Sequence, residues 1–266
     1  MNHLSIGIRL ESFALPFRDA LAAAARLGVH GVQFDALGEL SPDRLSQTGV
    51  RELRNLLRSY DLELTALGCP MRRGLDVPDD QQRRIEHVES ALTRSYELGA
   101  RIVIVEAGRV PDAPPAGVSL PEADELRLRC LQDSLAALAR HGDRIGATLA
   151  LETGAEAPER LRQFLDGFDT ASLAVNFEPA NLFMNGYDPA LAARTFRDKL
   201  AHASARDVRR AGPSRTAQEI PLGHGDIDWL ALLSAFEEIE YRRWLLIKRE
   251  TEVAAAVGFL RRLGVA

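Results

Sequence analysis

Five short, mostly apolar runs each end in a side chain that can carry charge, and those ends hold the chemistry this chain offers. Ile102, Ile104 and Glu106 alternate along the first run, and Thr148, Ala150 and Glu152 along the second. Ala174, Asn176 and Glu178 follow, then His202, Ser204 and Arg206, then Trp244, Leu246 and Lys248. If the runs are β-strands, residues two apart share a face, so each set points one way and finishes polar. Charged groups are almost never fully buried unless paired, so Glu106, Glu152, Glu178, Lys248 and Arg206 are expected to form one polar network. Glu152 and Glu178 can work as an acid/base pair, or they can be two carboxylates that a lysine merely holds apart. Lys248 has three readings: a salt bridge to both, a cation that binds substrate, or a Schiff-base nucleophile. The last needs a neutral amine, which two flanking carboxylates disfavour.

The elements that must position these residues alternate regularly. Strands are predicted over 4–10, 31–35, 62–68, 101–106, 147–152, 173–177, 200–204 and 244–248. Helices are predicted over 17–27, 41–60, 78–98, 121–141, 157–164, 189–196, 229–239 and 252–263. The spacing of Ala20, Leu21, Ala24 and Leu27 marks the first helix, and Ser41 with Pro42 marks the start of the second. Eight strand–helix pairs with no break in composition predict one domain over residues 1–266, a (β/α)8 barrel with its chemistry at the C-terminal ends of the strands. A doubly wound open sheet is the alternative, but it calls for an early glycine-rich dinucleotide turn that this chain lacks. The 108–119 loop contains Pro111, Pro114 and Pro115 and reads either as a lid or as a solvated connection.

Composition narrows the function further. The chain has 266 residues and a net charge of −5, which argues against a duplex-DNA footprint. Cys69 and Cys130 match no metal-ligand spacing and suit a reduced compartment. No signal-like N-terminus or membrane-length apolar stretch is present, so a cytoplasmic protein is expected, with no membrane or nucleic-acid partner and with homo-oligomerisation left open.

Five segments carry a family resemblance: Leu149-Ala-Leu-Glu-Thr-Gly154, Val175-Asn-Phe-Glu-Pro-Ala-Asn-Leu182, His202-Ala-Ser-Ala-Arg-Asp207, Pro221-Leu-Gly-His-Gly-Asp-Ile-Asp-Trp229 and the closing strand. In this order they resemble the sugar phosphate isomerase/epimerase group of xylose isomerase-like TIM barrels. That resemblance implies a small carbohydrate or sugar phosphate as substrate. It also implies a divalent metal, commonly Mn²⁺, Mg²⁺ or Zn²⁺, on a Glu, an Asp, a His and a Glu at the ends of strands five to eight. The metal would polarise substrate oxygens while two carboxylates exchange a proton beside the carbonyl.

The ligand positions fall at Glu152, Glu178, Ser204 and Lys248. A serine is a poor substitute for imidazole, and an ammonium cannot ligate a cation. The expectation is therefore a degenerate site with no catalytic metal or other cofactor, in which Lys248 bridges Glu152 and Glu178. Glu152, Glu178 and Lys248 sum to about −1, as do three carboxylates, a neutral imidazole and a divalent ion. Three functions stay open: a divergent isomerase or epimerase, a non-catalytic carbohydrate-binding protein, and a metal-free lyase using Lys248. Arg9, Arg109 and Arg206 are candidate clamps for a carboxylate or phosphate. Glu106, His224, Asn181 and Asp207 complete the candidate substrate-binding set, whereas His202 reads as a satisfied core histidine and Arg72 with Arg73 as a solvated loop pair.

Overall fold

The computed structural model describes residues 4–210, 217–248 and 251–266. Eight parallel strands close into a barrel. They are β1 Ser5–Arg9, β2 Gly31–Asp35, β3 Glu63–Gly68, β4 Ile102–Val105, β5 Thr148–Glu152, β6 Leu173–Phe177, β7 Leu200–Ala205 and β10 Trp244–Ile247. Sequential neighbours pair around the ring, and β10 closes it between β7 and β1, with Leu246 opposite Ser204 on one side and Gly7 on the other. The outer layer comprises α1 Phe17–Arg26, α2 Gln47–Ser59, α3 Gln81–Leu98, α4 Glu122–Ile145, α5 Pro158–Asp166, α7 Pro189–Phe196, α8 Trp229–Glu238 and α9 Val253–Arg262. Among the described residues, no helix is long and apolar enough to cross a membrane.

Two apolar compartments hold the barrel together. The larger lies between strands and helices, where Phe34, Phe177, Phe196 and Phe236 are fully buried. The smaller fills the lumen with Ala66, Ile102, Ile104, Ala150, Ala174 and Ala201, which places the predicted alternate residues of β4, β5 and β6 inside. At the bottom of the lumen the Trp244 ring occupies space left open by Gly31, where an added Cβ would lie 2.4 Å from the ring. The indole fills this end of the lumen beside the Thr65 methyl, and the charged side chains gather at the other end.

The predicted helices and strands form, with four corrections. Helix α2 starts at Gln47 rather than near Ser41, because the Ser46 hydroxyl accepts a hydrogen bond from the Gly49 amide and caps the first turn. A short helix, α6 Pro179–Met184, follows β6 directly, with Pro179 at its first position. Between β7 and α8 the chain forms an antiparallel pair, β8 Asp207–Arg210 with β9 Ala217–Ile220, where the sequence reading placed only a connection. The strand predicted over 244–248 ends at Ile247, and the Arg249 and Glu250 that follow Lys248 lie outside the described residues.

Candidate active site

Lys248 follows β10 with its amide donating to the Ala205 carbonyl at 3.3 Å, which fixes the backbone at the barrel mouth. Its Nζ donates to Glu152 Oε2 at 2.7 Å and lies 2.9 Å from Glu178 Oε2. The lysine bridges the two carboxylates, as strand alternation predicts. Glu178 is 0% exposed, and the Lys248 ammonium 2.9 Å away supplies its closest opposite charge.

A second cation completes the network. Arg206 is buried at the end of β7 with its Nε 3.8 Å from Glu178 Oε1 and 3.6 Å from Glu219 Oε1. Its Nη2 donates to Asn181 Oδ1 at 2.8 Å, and Asn181 Nδ2 donates to Glu152 Oε1 at 3.3 Å. Lys248, Glu152, Asn181, Arg206 and Glu178 therefore form a closed ring. Asn181 reaches it because α6 starts immediately after β6 and packs on Gly154, whose φ of +116° and missing side chain leave room for the Asn181 Cβ. With Arg206 included, two carboxylates meet two cations, so the buried ring is neutral rather than −1.

The charges are coupled through burial. Desolvation pushes the Glu178 carboxyl upward, but Lys248 and Arg206 together outweigh it and hold the group below the ordinary carboxylate range. Desolvation pulls Lys248 downward, and Glu178 and Glu152 outweigh it, so the ammonium titrates above the usual lysine value. One layer deeper, His202 Nδ1 lies 2.9 Å from Asn176 Oδ1 and Nε2 lies 3.2 Å from Thr65 Oγ1. Burial first, then the Lys248 and Arg243 charges, push His202 down to about 3, so it is a neutral, fully satisfied imidazole. Asn176 Nδ2 lies 3.5 Å from both Glu152 Oε2 and Ser204 Oγ, linking this layer to the ring.

These residues do not fit a divalent ion. The seat between Glu152 and Glu178 is taken by the Lys248 ammonium, and a second cation there would meet strong repulsion. Ser204 offers a hydroxyl already approached by Asn176. Among the described residues, no group of three or more His, Cys, Asp or Glu is arranged to hold a metal.

A cavity of ≈ 150 Å³ opens at the mouth, and Lys248, Glu152, Glu106, Arg9, Gln33 and Asp35 are part of its wall. Glu178 is not part of that wall. Arg9 is no free clamp, since its guanidinium pairs with Asp35 Oδ2 at 2.5 Å and Glu11 Oε2 at 3.3 Å. Gln33 and Asp35 were missed by the sequence reading, although the two-residue rule applied to Gly31, Gln33 and Asp35 on β2 finds them.

Three expected substrate contacts lie elsewhere. Arg109 is exposed and pairs with Asp112 at 2.9 Å in the proline-rich loop, because β4 ends at Val105 and the chain has already left the mouth. His224 is exposed on the loop before α8, where its carbonyl accepts from Arg209. Asp207 is buried and spent on backbone. Its Oδ2 accepts from the Gly223 and Gly225 amides and from Trp229 Nε1 at 2.9, 3.1 and 3.1 Å, and Oδ1 accepts from the Val208 amide at 2.9 Å. It folds the connection into α8 rather than touching the cavity.

A closed parallel barrel with a charged, carboxylate-bearing mouth has the architecture of a (β/α)8 enzyme scaffold. The family model described as "Xylose isomerase-like TIM barrel" matches residues 21–263, and the chain belongs to that family. Among characterised relatives, the inosose dehydratase of Geobacillus kaustophilus (strain HTA426) is 22% identical over 290 aligned positions, covering 93% of this chain and 92% of that one. The match to the inosose dehydratase of Clostridium tetani (strain Massachusetts / E88) spans 39% of either chain at 23% identity. Among solved structures, a xylose isomerase domain protein from Planctomyces limnophilus superposes with a TM-score of 0.79 at 23% identity, covering 98% of this chain and 96% of that chain. D-psicose 3-epimerase with D-tagatose from Clostridium cellulolyticum H10 gives 0.74 at 17%, covering 96% and 89%. At these identities the structural likeness concerns the fold.

Proposed function

We propose that this protein is a metal-independent member of its family that moves a proton next to the carbonyl of a small carbohydrate, an isomerase- or epimerase-type reaction. The observation that carries this reading is the Lys248 ammonium seated between Glu152 and Glu178 in the wall of the mouth cavity. An ammonium has three N–H donors, and the two carboxylates engage two. The third can polarise a substrate carbonyl oxygen and stabilise the enediolate that forms when the neighbouring carbon loses its proton. Glu152 and Glu106 share the cavity wall and are the groups that exchange that proton. Glu178 is fully buried and, instead of acting as an acid or base, keeps Lys248 charged and in place.

The isomerase, epimerase and dehydratase names among the relatives support this choice, because each reaction has a route that removes a proton beside a carbonyl. Schiff-base chemistry is disfavoured by the same carboxylates that raise the lysine's pKa. A non-catalytic carbohydrate-binding role is supported by one feature. Glu152 already accepts from Lys248 and Asn181, which leaves its oxygens less free to meet a substrate proton.

The test is solvent-deuterium incorporation beside the carbonyl across a panel of aldoses, ketoses and cyclic polyhydroxyketones, with chelator present. The expected result is exchange that survives the chelator and is lost in Lys248→Met and in Glu152→Gln. Saturable sugar binding without exchange would replace this reading with the binding protein. Exchange that appears only with added divalent metal would overturn the metal-independent part.

A further inference from the structure

The mouth cavity is too small to house a sugar by itself. At ≈ 150 Å³ it falls below the roughly 300–1,000 Å³ typical of small-molecule sites, so a substrate engaging Lys248 must extend past the rim. Pro70, two residues after β3, stands in the wall of this cavity and also of a second one of ≈ 890 Å³ beyond it. The second cavity is walled by the loop that follows Pro70 and by the first turns of α3.

Its cations come from both elements. Arg83 and His87 are four residues apart on α3 and share a face, and Arg72 joins them from the loop. Among the described residues, Arg72, Arg83 and His87 make no side-chain hydrogen bond or ion pair. Two further arginines in the wall are committed elsewhere, Arg73 to Asp79 at 3.0 Å and Arg84 to the Val77 and Asp79 carbonyls. Asp43, Asp80 and Glu86 also line the cavity, yet none lies within ion-pair distance of the Arg72 or Arg83 guanidinium. Two uncommitted guanidinium groups and an imidazole in one concave wall form a receptor for a phosphate monoester, which guanidinium binds in a bidentate, charge-assisted way.

We infer that the cavity beside α3 is a phosphate subsite, in which Arg72, Arg83 and His87 hold the phosphate of a phosphorylated sugar whose carbonyl end lies across Pro70 against Lys248 and Glu152. This deepens the proposed function and rests on it for the placement of the carbonyl end. The phosphate subsite itself can be tested without any turnover.

The probes are inorganic phosphate, a hexose 6-phosphate and the matching free hexose, titrated calorimetrically into the full-length protein and the double variant Arg72→Ala/Arg83→Ala. The hexose phosphate is expected to bind at least about tenfold more tightly than the hexose, and the double variant should remove that advantage while leaving hexose affinity and thermal midpoint unchanged. Inorganic phosphate should compete with the hexose phosphate, and Lys248→Met should leave phosphate binding intact. Equal affinity for the two hexoses, or a phosphate advantage that survives in the double variant, would overturn the subsite. Phosphate binding lost in Lys248→Met would also overturn it, by placing the anion at the mouth. Deuterium exchange reports separately on the carbonyl chemistry, so a phosphate advantage without exchange retains the subsite and removes only the catalytic reading.

Discussion

Lys248 is the side chain on which the site depends, and removing it should cost more than one surface charge would. Lys248→Met leaves Glu152 and Glu178 facing each other in a buried setting, a change worth about 3–5 kcal/mol when one partner of a buried pair is deleted. Urea denaturation at pH 7 should show that loss. It should shrink toward pH 4, where protonation of the unpaired carboxylates relieves the repulsion. In the parent protein the sign runs the other way. Glu178 titrates below its unfolded value of 4.5, so its contribution to stability is complete above that value and is lost as the pH falls through its folded pKa. A paired replacement tests the lineage of the site. Ser204→His with Lys248→Glu restores a four-ligand set and should confer stoichiometric binding of Mn²⁺ or Zn²⁺, read by calorimetry. A folded variant with no metal affinity would show that these positions do not converge as described.

At the scale of elements, two connections carry unusual burdens. Glu156, just after β5, is 4% exposed with Oε2 lacking any hydrogen-bond partner. It lies under the 108–121 loop, against the Val110 backbone and near Arg109, Asp112 and Arg160. Arg160 pins the same loop by donating to the Pro111 carbonyl at 2.8 Å. Burial pushes the Glu156 carboxyl up to about 7. A raised carboxylate pKa means the folded state holds its proton longer than the unfolded state does, so stability falls as the pH rises from 4.5 to about 7 and stays reduced above. Glu156→Gln should therefore stabilise the protein by up to about 3 kcal/mol at pH 8 and by little at pH 4.5. Hydrogen exchange in the loop should lose its pH dependence in that variant, beyond the intrinsic chemistry of the amide. The second connection is the one Asp207 organises. Asp207→Ala strips acceptors from three backbone amides and an indole, and should cost at least about 3 kcal/mol. Because Asp207 does not reach the cavity, Asp207→Asn should affect thermal stability more than sugar affinity, measured on the same preparation.

For the whole molecule, the barrel was legible because its signals repeat. Short β-branched strands alternate with amphipathic helices eight times, and one parity rule applied to strands four to eight brings Glu106, Glu152, Glu178, Arg206 and Lys248 to one end. What was not legible has physical causes. Parity fixes the direction of a side chain but not its depth, so Glu178 and Glu152 looked equivalent although only Glu152 reaches the cavity. The rule also stops where a strand stops, so Arg109 and His224, both on loops, could not be placed. Asp207 carries a charge like the others, yet four nearby donors claim it, and only the folded path of residues 223–229 brings three of them to it. The β8–β9 pair was invisible for a different reason. Its four-residue strands are too short and polar to show a periodicity.

The strand that closes the barrel leaves the ribosome after the seven strands it joins. Glu152 and Glu178 are synthesised long before Lys248, and a nascent chain lacking β10 must keep the two acids solvated or protonated. The ring reaches neutrality only when β10 slots between β7 and β1, so closure is rewarded electrostatically as well as by burial. The counter-ion of this site is covalently part of the polypeptide. It cannot be diluted away from Glu152 and Glu178, and its positive charge is inherited with the sequence.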